Sequence, residues 1–494
     1  MSDVKGSAAA DRVARLGFRL AEGVLGVAFV AVLAYVVVTF HSRILWGTEG
    51  ALLFDASRFR DHLPLWIEPA TGAWDYGPVP ARFYAAYTGV WAYVLSFFPA
   101  SWEEIPARGL ALLSWYGLIA WIVATSPGAR RRAAFVAALF VAGTYSLALF
   151  AREGRPDAPA LLLSGVALTR AVRRGRVGFV EAALFAGAAF IKPNEIGLSS
   201  GALLTEVFIR RAAPWPAIAG GAAVSAIMGT LLQAASHGQW FHHLTASIYA
   251  PPNLGLWLDQ APSALQFFGI PLIATGFCAW RARRDAGALL AFAALVTSVA
   301  WALFTISKPG AARNYWMEPA IGALVVFSHV PVPAVPPRWR APAAVLAVVQ
   351  ALWMAVASVR SSMESTVEAP AQRAVVERAR TKVGARPGEV VLGDQAGVEW
   401  MLNHRLVETP IYMTVLGRAH LYPVDLWIED VSRPEVVGLV ATDDIVERPL
   451  EEEDVVNDSF LPELRAVFKR RFVLVEKRAG IYVYGLPERA TAGR

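Results

Sequence analysis

Two short stretches hold the residue types most able to do chemistry in this chain. Trp46-Gly47-Thr48-Glu49-Gly50 follows the first long apolar run, and Arg152-Glu153-Gly154-Arg155-Pro156-Asp157 follows a later one. A lone carboxylate at the edge of an apolar segment is most often a solvated loop residue. Two on the same side of a membrane, each beside arginine or aromatics, point instead to a base that meets a lipid-borne anion. Two later stretches add cations. Ile191-Lys192-Pro193-Asn194-Glu195 interrupts two short apolar segments, and Arg313-Asn314-Tyr315-Trp316 precedes another. Lys192 and Arg313 stand where a cation either binds phosphate or extends to lipid headgroups.

Such residues need elements that hold them at a membrane edge, and the composition supplies them. Of 494 residues, 55% are apolar and 17% charged, with a mean hydropathy of +0.42, which argues against a soluble enzyme. Phe18–Phe40 has no small-residue cleavage site and reads as a retained first span. Basic clusters recur at Arg130-Arg131-Arg132, Arg173-Arg174, Arg210-Arg211, Arg281/Arg283/Arg284 and Arg338/Arg340. Placing them all in the cytoplasm gives about eleven spans, near 17–40, 107–125, 133–151, 158–172, 178–191, 196–209, 215–235, 263–280, 287–305, 317–331 and 341–359. The N-terminus is then cytoplasmic and the C-terminus extracytoplasmic. With 107–125 crossing, Ala81–Phe98 cannot also cross. It is expected as an interfacial helix in a long outer loop, 41–106, with Tyr84, Tyr87, Trp91 and Tyr93 at headgroup level.

The chain changes character near residue 361. From there onward 17 basic residues stand against 22 acidic ones, whereas residues 1–360 carry 29 against 18. The expected organisation is therefore a multi-span domain over 1–360 and an extracytoplasmic α/β domain over 361–494. The latter reads as a helix around Val367–Val383, a strand at Glu389–Leu392, a helix at Gly397–His404, a strand at Val436–Ala441 and a terminal hairpin, Arg471–Glu476 with Ile481–Tyr484.

Several classes of chemistry find no support. The single cysteine, Cys278, lies in an expected span, so neither a disulfide nor a cysteine metal site is expected. There is no phosphate-binding glycine loop and no paired-histidine zinc motif. No cofactor is expected and no metal ligand set stands out, although a divalent metal stays open. The basic pI of 9.4 reflects cytoplasmic loops rather than a nucleic-acid partner.

In the order of these motifs the chain resembles the GT-C superfamily of membrane glycosyltransferases. The resemblance is in particular to bacterial relatives of the dolichyl-phosphate-mannose protein mannosyltransferases and the lipid A aminoarabinose transferase. Thr48-Glu49-Gly50 resembles the first acidic motif, with Thr48 where an acid is common. Tyr76-Gly77-Pro78-Val79, Arg155-Pro156-Asp157, Lys192-Pro193-Asn194 and Asn314-Tyr315 resemble later ones. The resemblance implies a polytopic α-helical fold and inverting transfer of a sugar from a polyprenyl-phosphate donor to a hydroxyl of an envelope glycan, glycolipid or protein. It implies Glu49 as the base and Asp157 as its partner. Tyr76, Arg82, Arg155, Lys192, Asn194, Arg313, Asn314 and Tyr315 are the expected substrate contacts. The implied setting is the outer face of a bacterial cytoplasmic membrane. A lipid-linked glycan flippase or polymerase, or a transporter, is the alternative; no internal repeat supports a transporter.

Overall fold

The computed structural model describes residues 2–63, 65, 88–102, 104–209, 214–236, 238, 240–241, 244, 252–308, 313–331, 335–407, 409–418, 420, 422–447, 449 and 459–490. The expected contacts Tyr76 and Arg82, and the aromatics Tyr84 and Tyr87, lie outside the described residues.

Helix α1 (Ser2–Val38) is followed by α2 (Gly47–Arg60), α3 (Val90–Ser96), α4 (Ile105–Thr125), α5 (Arg131–Ala142), α6 (Tyr145–Arg152) and α7 (Asp157–Arg174). Then come α8 (Phe179–Ile191), α9 (Gly197–Leu204), α10 (Trp215–Ala235), α11 (Leu254–Arg281), α12 (Ala286–Thr305), α13 (Met317–His329) and the 46-residue α14 (Pro337–Lys382). All eleven expected segments fall on helices. Among the described residues, five helices are long and apolar enough to cross a membrane: α1 from Asp11, α4, α10, α12 and α14. The number rises to seven if α5 with α6, bent by 70°, and the bent α11 each count as one. The expected count of eleven is higher because it includes shorter helices. A helix of 13 residues, such as α8 or α13, rises only ~20 Å against a hydrocarbon core of ~30 Å. Much of the apolar character of these short helices serves helix packing. Leu161, Phe185, Leu198, Leu295 and Ile321 meet in one core between α7, α8, α9, α12 and α13.

The first and last long helices lie side by side, with Ala21, Leu25 and Ala28 of α1 against Ala351, Met354 and Ala355 of α14. The expected interfacial helix is also shorter among the described residues. It is α3, seven residues long, and it begins after Gly89, whose φ of 82° sets the turn. Its Trp91, Ala92 and Leu95 pack on Leu52, Leu53 and Ala56 of α2, while Tyr93 and Phe97 are exposed.

The acidic C-terminal part contains a four-stranded sheet in the order β1-β2-β4-β3. Its strands are β1 (Val390–Gly393), β2 (Val436–Ala441), β3 (Val473–Arg478) and β4 (Ile481–Gly485). β1 and β2 run parallel, and β4 is antiparallel to both of its neighbours. Buried on both faces, β1 and β2 read as continuous apolar runs, as central parallel strands do. One face packs on Val375, Val376 and Ala379 of α14 and on Val398 of α15 (Ala396–Asn403). The other packs on Trp427 and Val431 of α17 (Val424–Val431), which follows α16 (Pro410–Arg418), and on Leu464 and Phe468 of α18 (Pro462–Arg471). The tail helix expected at Val367–Val383 is the second half of α14. The charge break at 361 thus falls inside one continuous helix.

The sheet unit docks on the start of α2 by a glycine-to-glycine approach. A Cβ on Gly50 of α2 would lie 2.3 Å from Cα of Gly397 in α15, and one on Gly397 would lie 2.2 Å from the carbonyl oxygen of Leu45. Gly50→Ala must push the two helices apart. It is expected to cost about 1–3 kcal/mol, as overpacking does, read as a lower thermal midpoint and faster proteolysis of the sheet unit. Gly23→Ala, with open space around it, should be neutral or slightly stabilising.

Candidate active site

Glu49 sits in the first turn of α2 and is 1% exposed. Its Oε1 accepts from Arg108 Nε at 2.7 Å and from the Gly154 N–H at 3.2 Å. Its Oε2 accepts from Arg108 Nη2 at 3.2 Å and from the Trp46 N–H at 3.3 Å. Arg108, fully buried in α4, also donates to the carbonyls of Phe40 at 2.6 Å and Arg43 at 3.4 Å. The exit of α1, the start of α2, α4 and the loop before α7 are therefore tied at one point. Burial alone would raise the Glu49 carboxyl, but Arg108, with Arg152 and the Gly154 N–H, outweighs it and holds it below its ordinary value. With about four acceptor positions on a carboxylate and four donors present, Glu49 has no position left for an acceptor hydroxyl. In this arrangement the geometry of Glu49 is that of a tether between four segments.

The loop that Glu49 grips carries the second acidic residue. Gly154 receives Trp91 Nε1 on its carbonyl at 2.9 Å while its N–H goes to Glu49. Three residues on, Asp157 opens α7 and is fully buried. Its Oδ1 accepts from Lys192 Nζ and Asn314 Nδ2, and its Oδ2 has Arg155 Nε at 3.5 Å. Lys192, at the C-terminal end of α8, also donates to Glu195 Oε1 at 3.0 Å and lies over the Tyr315 ring. Asn194 donates to the Tyr315 hydroxyl at 3.2 Å. Arg155 pairs with Glu153 at 3.2 Å and lies over Phe150. Six residues singled out from the sequence, Arg155, Asp157, Lys192, Asn194, Asn314 and Tyr315, therefore come together, and Glu49 reaches them through the Gly154 peptide.

Beside this cluster lies a cavity of about 160 Å³ between α6, α11, α14 and the 313–316 turn. Phe150, Phe268 and Trp316 form an aromatic wall, Tyr145 and Ser358 supply polar atoms, and the exposed Arg313 contributes a cation. Phe150 is the ring under Arg155, and Arg313 adjoins Asn314 in the chain, so the cavity wall neighbours the Asp157 cluster. Among the described residues no three His, Cys, Asp or Glu side chains gather as a metal site.

Four groups that sequence reasoning did not assign now stand out. Arg108 lies inside an expected span, and a charge at membrane depth was the available signal. Glu195 was visible in the Lys192 turn but without a role. Glu318 of α13 accepts the N–H groups of Gly197 and Leu198 at 3.1 and 2.8 Å, capping α9. Asp55 of α2, 2% exposed, has an Oδ1 without a hydrogen-bond partner.

No family model matches the chain, and no curated protein matches it. Among solved structures, the crystal structure of ArnT from Cupriavidus metallidurans bound to undecaprenyl phosphate matches 92% of this chain and 97% of that one, at 15% identity and a TM-score of 0.49.

Asp55 gives a pH-dependent test of the α2 environment. Burial pushes its carboxyl up to about 8 despite Arg58 one turn away, against an ordinary value of 3.8. The folded chain therefore holds this proton more tightly than the unfolded chain. The stability it confers is complete below about pH 3.8 and is lost as pH rises toward about 8, where folding must bury the charged form. Asp55→Asn cannot ionise. It is expected to raise the thermal midpoint by several degrees near pH 8 and to leave it nearly unchanged near pH 4. Equal effects at both ends would remove Asp55 as the titrating group.

Proposed function

We propose that this chain is a membrane-embedded glycosyltransferase that moves a sugar from a polyprenyl-phosphate donor to a hydroxyl acceptor, with inversion. The observation that carries the reading is Asp157, buried among Lys192, Arg155 and Asn314 next to an aromatic-walled cavity that bears Arg313. The reaction needs cations where the lipid phosphate departs, a carboxylate for the acceptor proton and an apolar surface for the prenyl chain. These residues supply all three side by side. The order of motifs along the chain supports the same reading.

In this assignment Arg155, Lys192 and Arg313 receive the phosphate, and the aromatic cavity takes the first isoprene units. Asp157 is the proton acceptor. Its Oδ1 is committed to Lys192 and Asn314, and its Oδ2 retains a lone pair turned toward the cluster, since Arg155 Nε stands 3.5 Å away. As the acceptor oxygen attacks the anomeric carbon, its proton passes to Asp157 and the bond to the phosphate oxygen breaks. A phosphate leaves without prior protonation, so no second acidic carboxyl is required, unlike in glycoside hydrolysis. Glu49 acts as a positioning residue that fixes the 153–157 loop. Asn194, Asn314 and Tyr315 shape the floor.

The setting proposed is the outer face of a bacterial cytoplasmic membrane. The body over 1–360 is embedded, the N-terminus cytoplasmic, and the sheet unit within 361–494 extracytoplasmic. In a Cys278→Ser background, a cysteine at the exposed His404 should react with an impermeant maleimide in intact cells. One at Arg132, 67% exposed, should react only after permeabilisation. The reverse pattern would place the cluster on the other face.

Activity variants separate the roles. Asp157→Asn is expected to lower turnover by ~10²–10⁴-fold with donor binding retained. Arg155→Ala should weaken donor binding. Glu49→Gln should lower the thermal midpoint together with activity, because it releases a charge-assisted tether. Full turnover in Asp157→Asn would overturn the base, and donor binding without any transfer would favour a flippase.

A further inference from the structure

The cluster contains one carboxylate that the proposed reaction does not use. Glu195 is 1% exposed, and it shares the Lys192 ammonium with Asp157. Its Oε1 lies 3.0 Å from Lys192 Nζ, and its Oε2 is buried without a hydrogen-bond partner. Its own N–H bonds back to the Lys192 carbonyl at 3.0 Å, so the side chain is held in a tight turn against the ammonium. A buried oxygen left without a donor is costly when it carries charge and much less so when it carries a proton. Two carboxylates on one ammonium follow the same rule. Their environments drive them apart, one ionised and the other neutral. Asp157, with donors from Lys192 and Asn314 and an arginine beside it, is the ionised member.

Resting on the phosphate site proposed above, we infer that Glu195 is the charge switch of that site: it holds a proton while the donor phosphate is bound, and its ionisation weakens the hold on the anion. An ionised Glu195 adds a negative charge 3.0 Å from the Lys192 ammonium that Asp157 already shares, and the net attraction for an anion falls. The groups around Glu195 come from every side of it. Lys192 shares its turn, and Asp157 and Arg155 come from the start of α7 and the loop before it. Glu318 reaches it electrostatically from α13. Burial and the Asp157 charge push Glu195 up, Lys192 and Arg155 pull it down, and the balance rests at about 7. The switch therefore operates around neutral pH. Glu195 acts on the anion through charge and through Lys192, which makes it a positioning residue.

The test uses the full-length protein in detergent micelles and farnesyl methyl phosphate, a diester whose single charge does not titrate in the range used. Binding is measured from about pH 5.5 to about pH 8.5, on either side of the Glu195 value of about 7, and linkage limits the effect to about tenfold in Kd per pH unit for one coupled proton. Wild type should bind progressively more weakly above neutrality. Glu195→Gln, neutral and isosteric, should bind at the low-pH affinity throughout. Glu195→Asp should recover a slope. In an Asp55→Asn, Asp394→Asn background, the pH-difference infrared spectrum should show a protonated-carboxyl band that disappears at high pH and that shifts in Glu195→Asp, which assigns it to Glu195. That readout stands even if the glutamine variant folds poorly. A wild-type slope that persists in Glu195→Gln, or a flat wild-type profile, overturns the switch and leaves the phosphate site standing. No binding by wild type at any pH overturns the phosphate site and the switch with it.

Discussion

The contact on which the other polar contacts depend is the buried pair of Arg108 and Glu49. A guanidinium inside an apolar helix is costly unless its donors are matched. Arg108 spends them on one carboxylate and two carbonyls, those of Phe40 and Arg43. The partners lie on the exit of α1, the loop after it and the first turn of α2, so the pair selects a single arrangement of these segments. Removing one partner of such a pair costs about 3–5 kcal/mol, because the other is left buried and uncompensated. The remaining acceptor capacity of Glu49 takes the Gly154 N–H, which sets where the next loop runs and hence where Asp157 points.

From that fixed loop a division of labour emerges among acidic residues that look alike in the sequence. Glu49 accepts four donors and Glu318 a backbone N–H on each oxygen, and both hold backbone segments together. Asp157 and Glu195 share one ammonium and each keep an oxygen without a hydrogen bond. Unfilled acceptors in a buried site are expensive for the resting protein. They persist where a ligand or a proton can use them, which is the ground on which chemistry is proposed at the second acidic site.

The sheet unit is built into the same frame. Helix α14 crosses the charge break without interruption, and its second half covers one face of the sheet. The glycine contact between α2 and α15 brings the unit against the helix that carries Glu49. A rigid helix on one side and a close backbone approach on the other fix the unit's position over the loop, and only glycine lets the two backbones come that near.

Periodicity and charge bias in the sequence determined the helical segments, the place where composition changes and the strands of the sheet unit. Each of these follows from local preferences and from the cost of moving charge through lipid. Arg155, Asp157, Lys192 and Asn314 were also legible, since charged and polar residues beside apolar runs are rare enough to mark a site. The tertiary structure decided what no local signal carries. Short apolar helices such as α8 and α9 pack into one core with α7, α12 and α13, and their partners there are not legible locally, because burial in a protein core and burial in lipid select the same side chains. Glu49 is legible in the sequence as a carboxylate at a helix start, but the donors that fill its acceptor positions are not, since one of them, Arg108, lies 59 residues away. Glu195 gained its role from a lysine shared with a residue 35 positions distant. The sequence names the groups that can ionise; the folded structure decides which have partners, and partnership sets which of them can move a proton.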